Sequence, residues 1–256
     1  MIGLSMTAYS GRRLDAFPQW VERVKALGFE GIEIVSEWPH FLTRENLPFF
    51  KETLETIGLN VTVHAPFSDL NIASFNEKIR GASLEILEET IRLASELEAK
   101  AVTVHPGHCS PVSRKYQAEY IEIHRRSLRA LSMLSAEYGI PVGVENMPKF
   151  PILDAQTPER LALLVDGIAV GITFDIGHLN TTTRDFEGFL KLFGERIVAV
   201  HMHDNHGKSD EHLTPGEGTV PWEEVLRKLP KVPWILEVKG IEEGVKGYTF
   251  IKSALK

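Results

Sequence analysis

Cysteine is nearly absent from this 256-residue chain: Cys109 stands alone, so no internal disulfide can form and nothing points to a secreted, cross-linked scaffold. No uninterrupted apolar run approaches membrane-spanning length. The opening Met1-Ile2-Gly3-Leu4-Ser5-Met6 has no basic region leading into a long apolar segment, so no signal peptide is expected and the cytoplasm is the expected location. An excess of positive charge is missing too. The 28 Lys and Arg against 35 Asp and Glu leave a net charge of -7, which disfavours a general grip on nucleic acid while leaving room for a local basic patch. No linker, low-complexity segment or shift in composition marks a domain boundary, and a single domain over 1–256 is expected. The 43% of hydrophobic residues is enough for a large core. Apolar side chains left on the outer helices could support a homo-oligomer.

What the chain does have is one pattern repeated. Ile2 to Thr7 is an apolar run followed by turn chemistry at Ser10-Gly11, and Leu14, Phe17, Val21, Val24 and Leu27 then recur at helical spacing up to Gly28. Gly31–Val35, Asn60–His64, Ala101–His105, Pro141–Glu145, Val170–Asp175, Ile197–His201 and Pro233–Glu237 read as further strands. Between and after them lie helical stretches. These are Asn46 to Ile57, a long one whose stripe is Ile79, Ile86, Ile91, Ala94 and Leu97, Ala118 to Tyr138, Pro158 to Val165, Phe186 to Phe193, Trp222 to Leu229 and Glu243 to Leu255. Gly58, Gly139 and Gly194 read as helix stops. Strands that are continuously apolar, each returned by a helix, imply a parallel sheet covered on its outer face. Eight such units, about 32 residues each, predict an α/β fold, a (β/α)8 TIM barrel.

The polar residues fall at one end of the strands. The third to eighth strands end in His64, His105, Glu145, Asp175, His201 and Glu237. In a parallel barrel those ends open on one face, so the six side chains can converge. His178, Asp210 and His212 follow closely, the last two in the loop beyond Val200-His201-Met202-His203-Asp204-Asn205-His206. Carboxylates massed in one mouth repel unless protonated or neutralised, and a divalent cation is the natural neutraliser. His203 is left unassigned because the strand has reached its end there. Asp204 and Asn205 either orient His201 or shape the turn. His108, His124 and His206 read as surface histidines, and Glu33 as a satisfied strand-end carboxylate.

These motifs resemble the xylose-isomerase-like TIM-barrel superfamily, which holds sugar and sugar phosphate isomerases and epimerases and the apurinic endonucleases of the endonuclease IV type. The resemblance rests on Val-His-Ala-Pro at His64, Val-His-Pro-Gly at His105, Val-Glu-Asn at Glu145 and Phe-Asp-Ile-Gly-His at Asp175 to His178. Further on it rests on His-Met-His-Asp-Asn at His201, Asp-Glu-His-Leu at Asp210, Gly-Glu-Gly at Gly216 and Leu-Glu-Val at Glu237, so it spans essentially the whole chain. In the sugar branch it implies one divalent metal on Glu145, Asp175, His201 and Glu237. Glu145 and Glu237 would then exchange a proton with a ketose through an enediolate. In the endonuclease branch it implies three zinc ions. His64, His105 and Glu145 would hold one; Glu145, Asp175, His201 and Glu237 a second; His178, Asp210 and His212 a third.

The loops tilt the choice. The arginine and the Tyr-Leu pair that the endonucleases insert into DNA are missing from Ser36-Glu37-Trp38-Pro39-His40-Phe41 and from His64-Ala65-Pro66-Phe67-Ser68-Asp69-Leu70, although Phe67 and Leu70 could still act as a wedge. Asn146-Met147-Pro148 and Ile176-Gly177 also depart from the nuclease pattern. The reading adopted is a metal-dependent sugar or sugar phosphate isomerase or epimerase using Zn or Mn, with Mg possible, at one to three ions per chain. Glu145 and Glu237 are its expected catalytic pair, and Trp38, Phe67, Lys149 and Lys208 its expected substrate contacts. Arg184 and Lys239 are further candidates for a substrate phosphate. The alternative is a zinc-dependent apurinic endonuclease with nucleic acid as partner. A barrel that holds metal without chemistry is a third reading, against which the retained glutamates weigh. No membrane partner is expected.

Overall fold

Short strands of glycine and β-branched residues, each returned by an amphipathic helix, close on themselves in the computed structural model, which describes residues 1–256. The first half of the chain runs β1 (Ile2–Ser5), α1 (Phe17–Ala26), β2 (Gly31–Val35), α2 (Leu47–Ile57), β3 (Asn60–His64), α3 (Glu77–Glu96), β4 (Val102–Val104) and α4 (Gln117–Tyr138). The second half runs β5 (Val142–Glu145), α5 (Pro158–Val165), β6 (Gly171–Asp175), α6 (Ile176–Thr181), α7 (Phe186–Phe193), β7 (Ile197–Met202), α8 (Trp222–Leu226), β8 (Trp234–Leu236) and α9 (Ile241–Ala254). All eight strands are parallel, each pairs with its neighbours in sequence, and β8 pairs with β1. This is the (β/α)8 barrel expected from the repeated units. No helix is long and apolar enough to cross a membrane.

Local signals set most boundaries. Gly58 and Gly139 take φ of 72° and 64° and end α2 and α4, a left-handed turn that glycine adopts without a steric penalty. The Asn76 side chain accepts from the backbone N–H of Lys78 and Ile79 at the start of α3, and Thr157 does the same for Arg160 ahead of α5. Gly194 caps α7 as expected, in the right-handed conformation and leading into a 3-10 turn. Two points differ from the expectation. On α3, Ile79 and Ile86 lie on the solvent side, and Leu87, Ile91 and Ala94 form the buried stripe. The helix α6 has no counterpart in the sequence reading.

The apolar layer between strands and helices is continuous; Phe174 on β6 stacks on Phe189 of α7 with ring centroids 4.3 Å apart. The upper barrel interior is different. Glu33, Thr62, Thr103, Thr173 and His201 point inward and bond one another, Thr62 Oγ1 donating to Glu33 Oε1 at 3.4 Å, with the Thr103 and Thr173 hydroxyls 3.0 Å apart. A polar interior at this level forms the floor beneath whatever the mouth binds.

Beyond β7 the long loop to α8 is fastened by one side chain. Asp204 is wholly buried and accepts from the N–H groups of Gly216 (3.0 Å) and Val220 (3.1 Å) and from Trp222 Nε1 (2.8 Å), while its backbone pairs with Leu213. Asp204 therefore shapes this loop, and Asn205 is engaged with Asn180 and Gly177 rather than with His201. Replacing Asp204 by Ala leaves those donors buried without an acceptor. It should cost about 3 kcal/mol of unfolding free energy in urea denaturation, with the slope unchanged. A loss under about 0.5 kcal/mol, the scale of an ordinary surface substitution, would show that the loop is held elsewhere.

Candidate metal centre

The strand ends deliver what their parallel direction requires. His64, Glu145, Asp175 and His201 lie in the last turns of β3, β5, β6 and β7, while His105 and Glu237 come one residue beyond β4 and β8. His178 is carried by α6, whose first turn is capped by Asp175 accepting from the His178 N–H at 2.6 Å. Asp210 and His212 come from the loop that Asp204 fastens. All nine expected ligands meet at one rim. A cavity of about 360 Å³ opens there, with Glu145, Glu237, His64, His105, His178, Asp210, His212 and Phe67 in its walls. A larger, open groove of about 650 Å³ at the opposite end of the barrel offers only Glu195 and Arg196 as charged groups, so the chemistry belongs to the smaller cavity.

Imidazole orientation follows from hydrogen bonds to carbonyls. His64 Nδ1 faces Ala65 O (2.9 Å), His178 Nδ1 faces Asn146 O (2.8 Å) and His212 Nδ1 faces Glu237 O (3.0 Å). A carbonyl only accepts, so each Nδ1 carries a proton and each Nε2 is turned into the mouth. His201 is set the other way. Its Nε2 donates to Glu33 Oε1 at 3.1 Å, leaving Nδ1 2.7 Å from Glu145 Oε1, 3.6 Å from Glu237 Oε1 and 3.9 Å from Asp175 Oδ2. Glu33, expected as a satisfied carboxylate, is satisfied at Oε1 alone, through which it orients His201. The Asn146 amide bonds both the N–H and the C=O of Asp175 (2.9 and 2.8 Å), locking the ends of β5 and β6 in register.

Electrostatics in this rim is a balance of protons. Burial alone would raise every carboxyl, yet His201, His105 and His64 around Glu145 hold it well below the usual range. Asp175 and Asp210 are likewise pushed up by burial and pulled down further by their histidines, and Glu33 by His201. Glu237 is the exception: burial, reinforced by Glu33 and Glu145, raises it despite His201. The imidazoles mirror this. Burial opposes their charge, but the carboxylates win at His201, which is raised strongly, and at His64, His212 and His178, which reach about 9, about 9 and about 10. At His105 burial wins and lowers it to about 4. Protons on four imidazoles therefore stand opposite four ionised carboxylates.

Such a rim fits a divalent cation. Glu33 Oε2 is buried without a hydrogen bond; Glu145 Oε2 is buried without one of good geometry, though His105 Nε2 lies 3.0 Å away. Imidazole nitrogens and carboxylate oxygens of His64, Glu145 and His201, of Glu145, Asp175 and His178, and of Glu33, His201 and Glu237 each gather within 4.8 Å. Three of the expected substrate contacts are not brought in. Trp38 is 74% exposed and lines a neighbouring groove, and Lys149 and Lys208 are exposed to solvent outside the walls of the cavity. Arg184 is committed to Asn180 and Thr219. Phe67 does reach the site and stacks on His105 at 4.4 Å. One histidine left unassigned from the sequence and one misread there are now placed. His203 is fully buried against Asp175, and His124, read as surface, is buried on α4 and accepts from the Gly107 N–H at 3.1 Å.

A pH dependence follows for the ion-free protein. An unfolded histidine loses its proton near 6.5, whereas His64, His212 and His178 keep theirs in the fold to about 9, about 9 and about 10. Their contribution to stability is complete below the unfolded value and is lost as pH rises through the folded ones. After chelation, Tm should fall between about pH 7 and about pH 10, and saturating zinc should flatten the fall by replacing those protons. A chelated sample with a flat Tm over that range would contradict the proton balance.

Comparison with known proteins agrees with the fold. An uncharacterized protein of Methanocaldococcus jannaschii is 38% identical over 245 residues, covering 92% of this chain and 84% of its own. A solved structure described as a D-tagatose 3-epimerase-like protein superposes with a TM-score of 0.91 at 36% identity, covering 99% and 96% of the two chains. Endonuclease IV from Thermus thermophilus shares the fold, at a TM-score of 0.74 and 20% identity over 99% and 98%. Residues 21–252 match the family described as xylose isomerase-like TIM barrel, and the chain belongs to that family.

Proposed function

We propose that this chain is a metal-dependent isomerase or epimerase of a ketose or ketose phosphate. The observation that carries the proposal is the pair Glu145 and Glu237. Both line one cavity, both approach the same nitrogen of His201 (2.7 and 3.6 Å), and their surroundings push their protonation apart. Two carboxyl groups set to opposite protonation states are what moving a proton off one face of a carbon and onto another requires. Glu145, Asp175, His201 and Glu237 would hold the ion, with zinc or manganese suited to the donors. When bound, a divalent ion supplies Lewis-acid polarisation of a carbonyl, which acidifies the neighbouring C–H.

The chain's own residues do the rest. Glu145, ionised, takes the proton; Glu237, protonated, returns one. Glu33 keeps His201 fixed, and Phe67 presents an apolar wall to the sugar. The cavity, about 360 Å³, is of a size that suits a small molecule. The similar epimerase-like structure supports the same branch. The endonuclease reading draws on the cluster of His178, Asp210 and His212, and is weighed by the same experiment.

Metal-loaded protein should exchange deuterium from solvent into the carbon beside the carbonyl of one or more ketoses or ketose phosphates. Glu145→Gln and Glu237→Gln should each lower that exchange by about 10²–10⁴-fold. Cleavage of an abasic-site duplex that disappears in Glu145→Ala, with no exchange into any sugar, would reverse the assignment.

A further inference from the structure

The mouth of the barrel does not end at the walls of the inner cavity. A groove of about 300 Å³ adjoins it, built by the chain that follows β1 and β2. Thr7 and Val35 line both spaces, so the two meet at the rim. Beyond them the groove is walled by Tyr9, Ser10, Arg12, Glu37, Trp38 and His40, none of them among the nine expected ligands. Tyr9 forms a fixed back wall, its ring packed on Trp20 and His40 with centroids 5.5 and 5.4 Å away.

Two observations mark this groove as prepared for a ligand. The Trp38 indole is 74% exposed, yet the loop displaying it is fastened. The Ser36 N–H donates to the carbonyl of His64 at 2.9 Å, and Ser36 Oγ accepts from the Leu42 N–H at 3.0 Å. A lone exposed aromatic is ordinary on a protein surface, but one held on a fixed loop beside a cavity offers its apolar face at little ordering cost. The second observation is Glu37. Its Oε1 accepts from the N–H groups of Phe67 and Ser68 at 2.6 and 2.7 Å, which leaves Oε2 for a ligand hydroxyl. Phe67 is a wall of the inner cavity, so Glu37 joins the two spaces.

The chemistry of the walls selects the occupant. Arg12 is exposed and engaged by no carboxylate of the chain, while burial lowers the pKa of His40, which therefore adds no charge. A phosphate would meet one guanidinium and face the Glu37 carboxylate, whereas phosphate sites gather several cations or N–H donors. A sugar ring is uncharged. It can lay a C–H face on an indole and offer hydroxyls to a carboxylate, a guanidinium and Ser10 Oγ. Each space alone is near the lower end of small-molecule sites, about 300 Å³, so the two together suit a ligand of two units.

We propose that the groove is a second subsite, and that the substrate is a disaccharide or similar glycoside whose reducing unit is the ketose. The ketose lies in the inner cavity with its carbonyl toward Glu145 and Glu237. The second ring, joined through a hydroxyl remote from the carbonyl, stacks on Trp38. The glycosidic bond is neither made nor broken, and only the proton beside the carbonyl moves. This substrate class rests on the isomerase reading above.

The test compares a ketose, its phosphate and a panel of disaccharides with that ketose as reducing unit, by deuterium exchange on the metal-loaded protein. Wild type should show kcat/KM at least ~10-fold higher for the best disaccharide than for the ketose. Trp38→Ala and Arg12→Ala should each raise KM for that disaccharide about tenfold and leave both constants for the ketose within about twofold. Trp38→Phe should restore most of the advantage, with circular dichroism as the folding control. Saturation-transfer NMR should place protons of the second ring against wild type and lose them in Trp38→Ala. The proposal is overturned if no disaccharide reacts better than the ketose, or if Trp38→Ala impairs both alike. It is also overturned if Arg12→Ala impairs the ketose phosphate alone, which would make the groove a phosphate pocket. If no sugar exchanges deuterium, the isomerase reading fails by itself. The NMR contact then upholds the subsite where it is present and depends on Trp38, and overturns it otherwise.

Discussion

Mutual repulsion among buried carboxylates is the constraint on which this structure depends. Glu33, Glu145, Asp175, Asp210 and Glu237 are brought to one end of a barrel, most of them fully out of solvent. In a medium of low polarity such charges are tolerable only with positive charge among them. The ion-free protein answers with protons on His64, His178, His201 and His212 and with a proton on Glu237. That is a balanced arrangement, and one that a divalent cation can take over by displacing the imidazole protons.

The barrel makes the exchange specific. Parallel strands put every C-terminal end on one face, so groups more than 170 residues apart, such as His64 and Glu237, reach the same cavity. Backbone carbonyls of Ala65, Asn146 and Glu237 then choose which nitrogen of each imidazole faces inward, and Glu33 makes the opposite choice for His201. Orientation is thus fixed before any ion arrives, which lowers the cost of assembling the site.

Much of this was legible in the sequence, for a physical reason. Alternating strands and helices carry strong periodic signals, and a polar residue that ends an apolar strand is conspicuous; that is why His64, His105, Glu145, Asp175, His201 and Glu237 could be named together. The residues that escaped lack such a signal. The six residues of α6 are too few to show a helical period, yet they carry His178. Glu33 sits within β2 rather than at its end, and its partner His201 is 168 positions away. His203 follows the last strand residue, and only the space left by Gly177 shows which way it turns. His124 lies among buried residues of α4 that polar neighbours in sequence disguise. Lys149 and Lys208 were chosen for charge and proximity in sequence, and neither says where a flexible side chain points.

Everything at the rim turns on the exchange of protons for a cation. Calorimetric titration of the chelated protein with zinc near pH 8, repeated in buffers of different ionisation enthalpy, measures the protons released per ion. More than one proton leaving with each ion bound is the expected result, since several imidazoles give theirs up. Zinc uptake with no proton release, or no uptake at all, would contradict it.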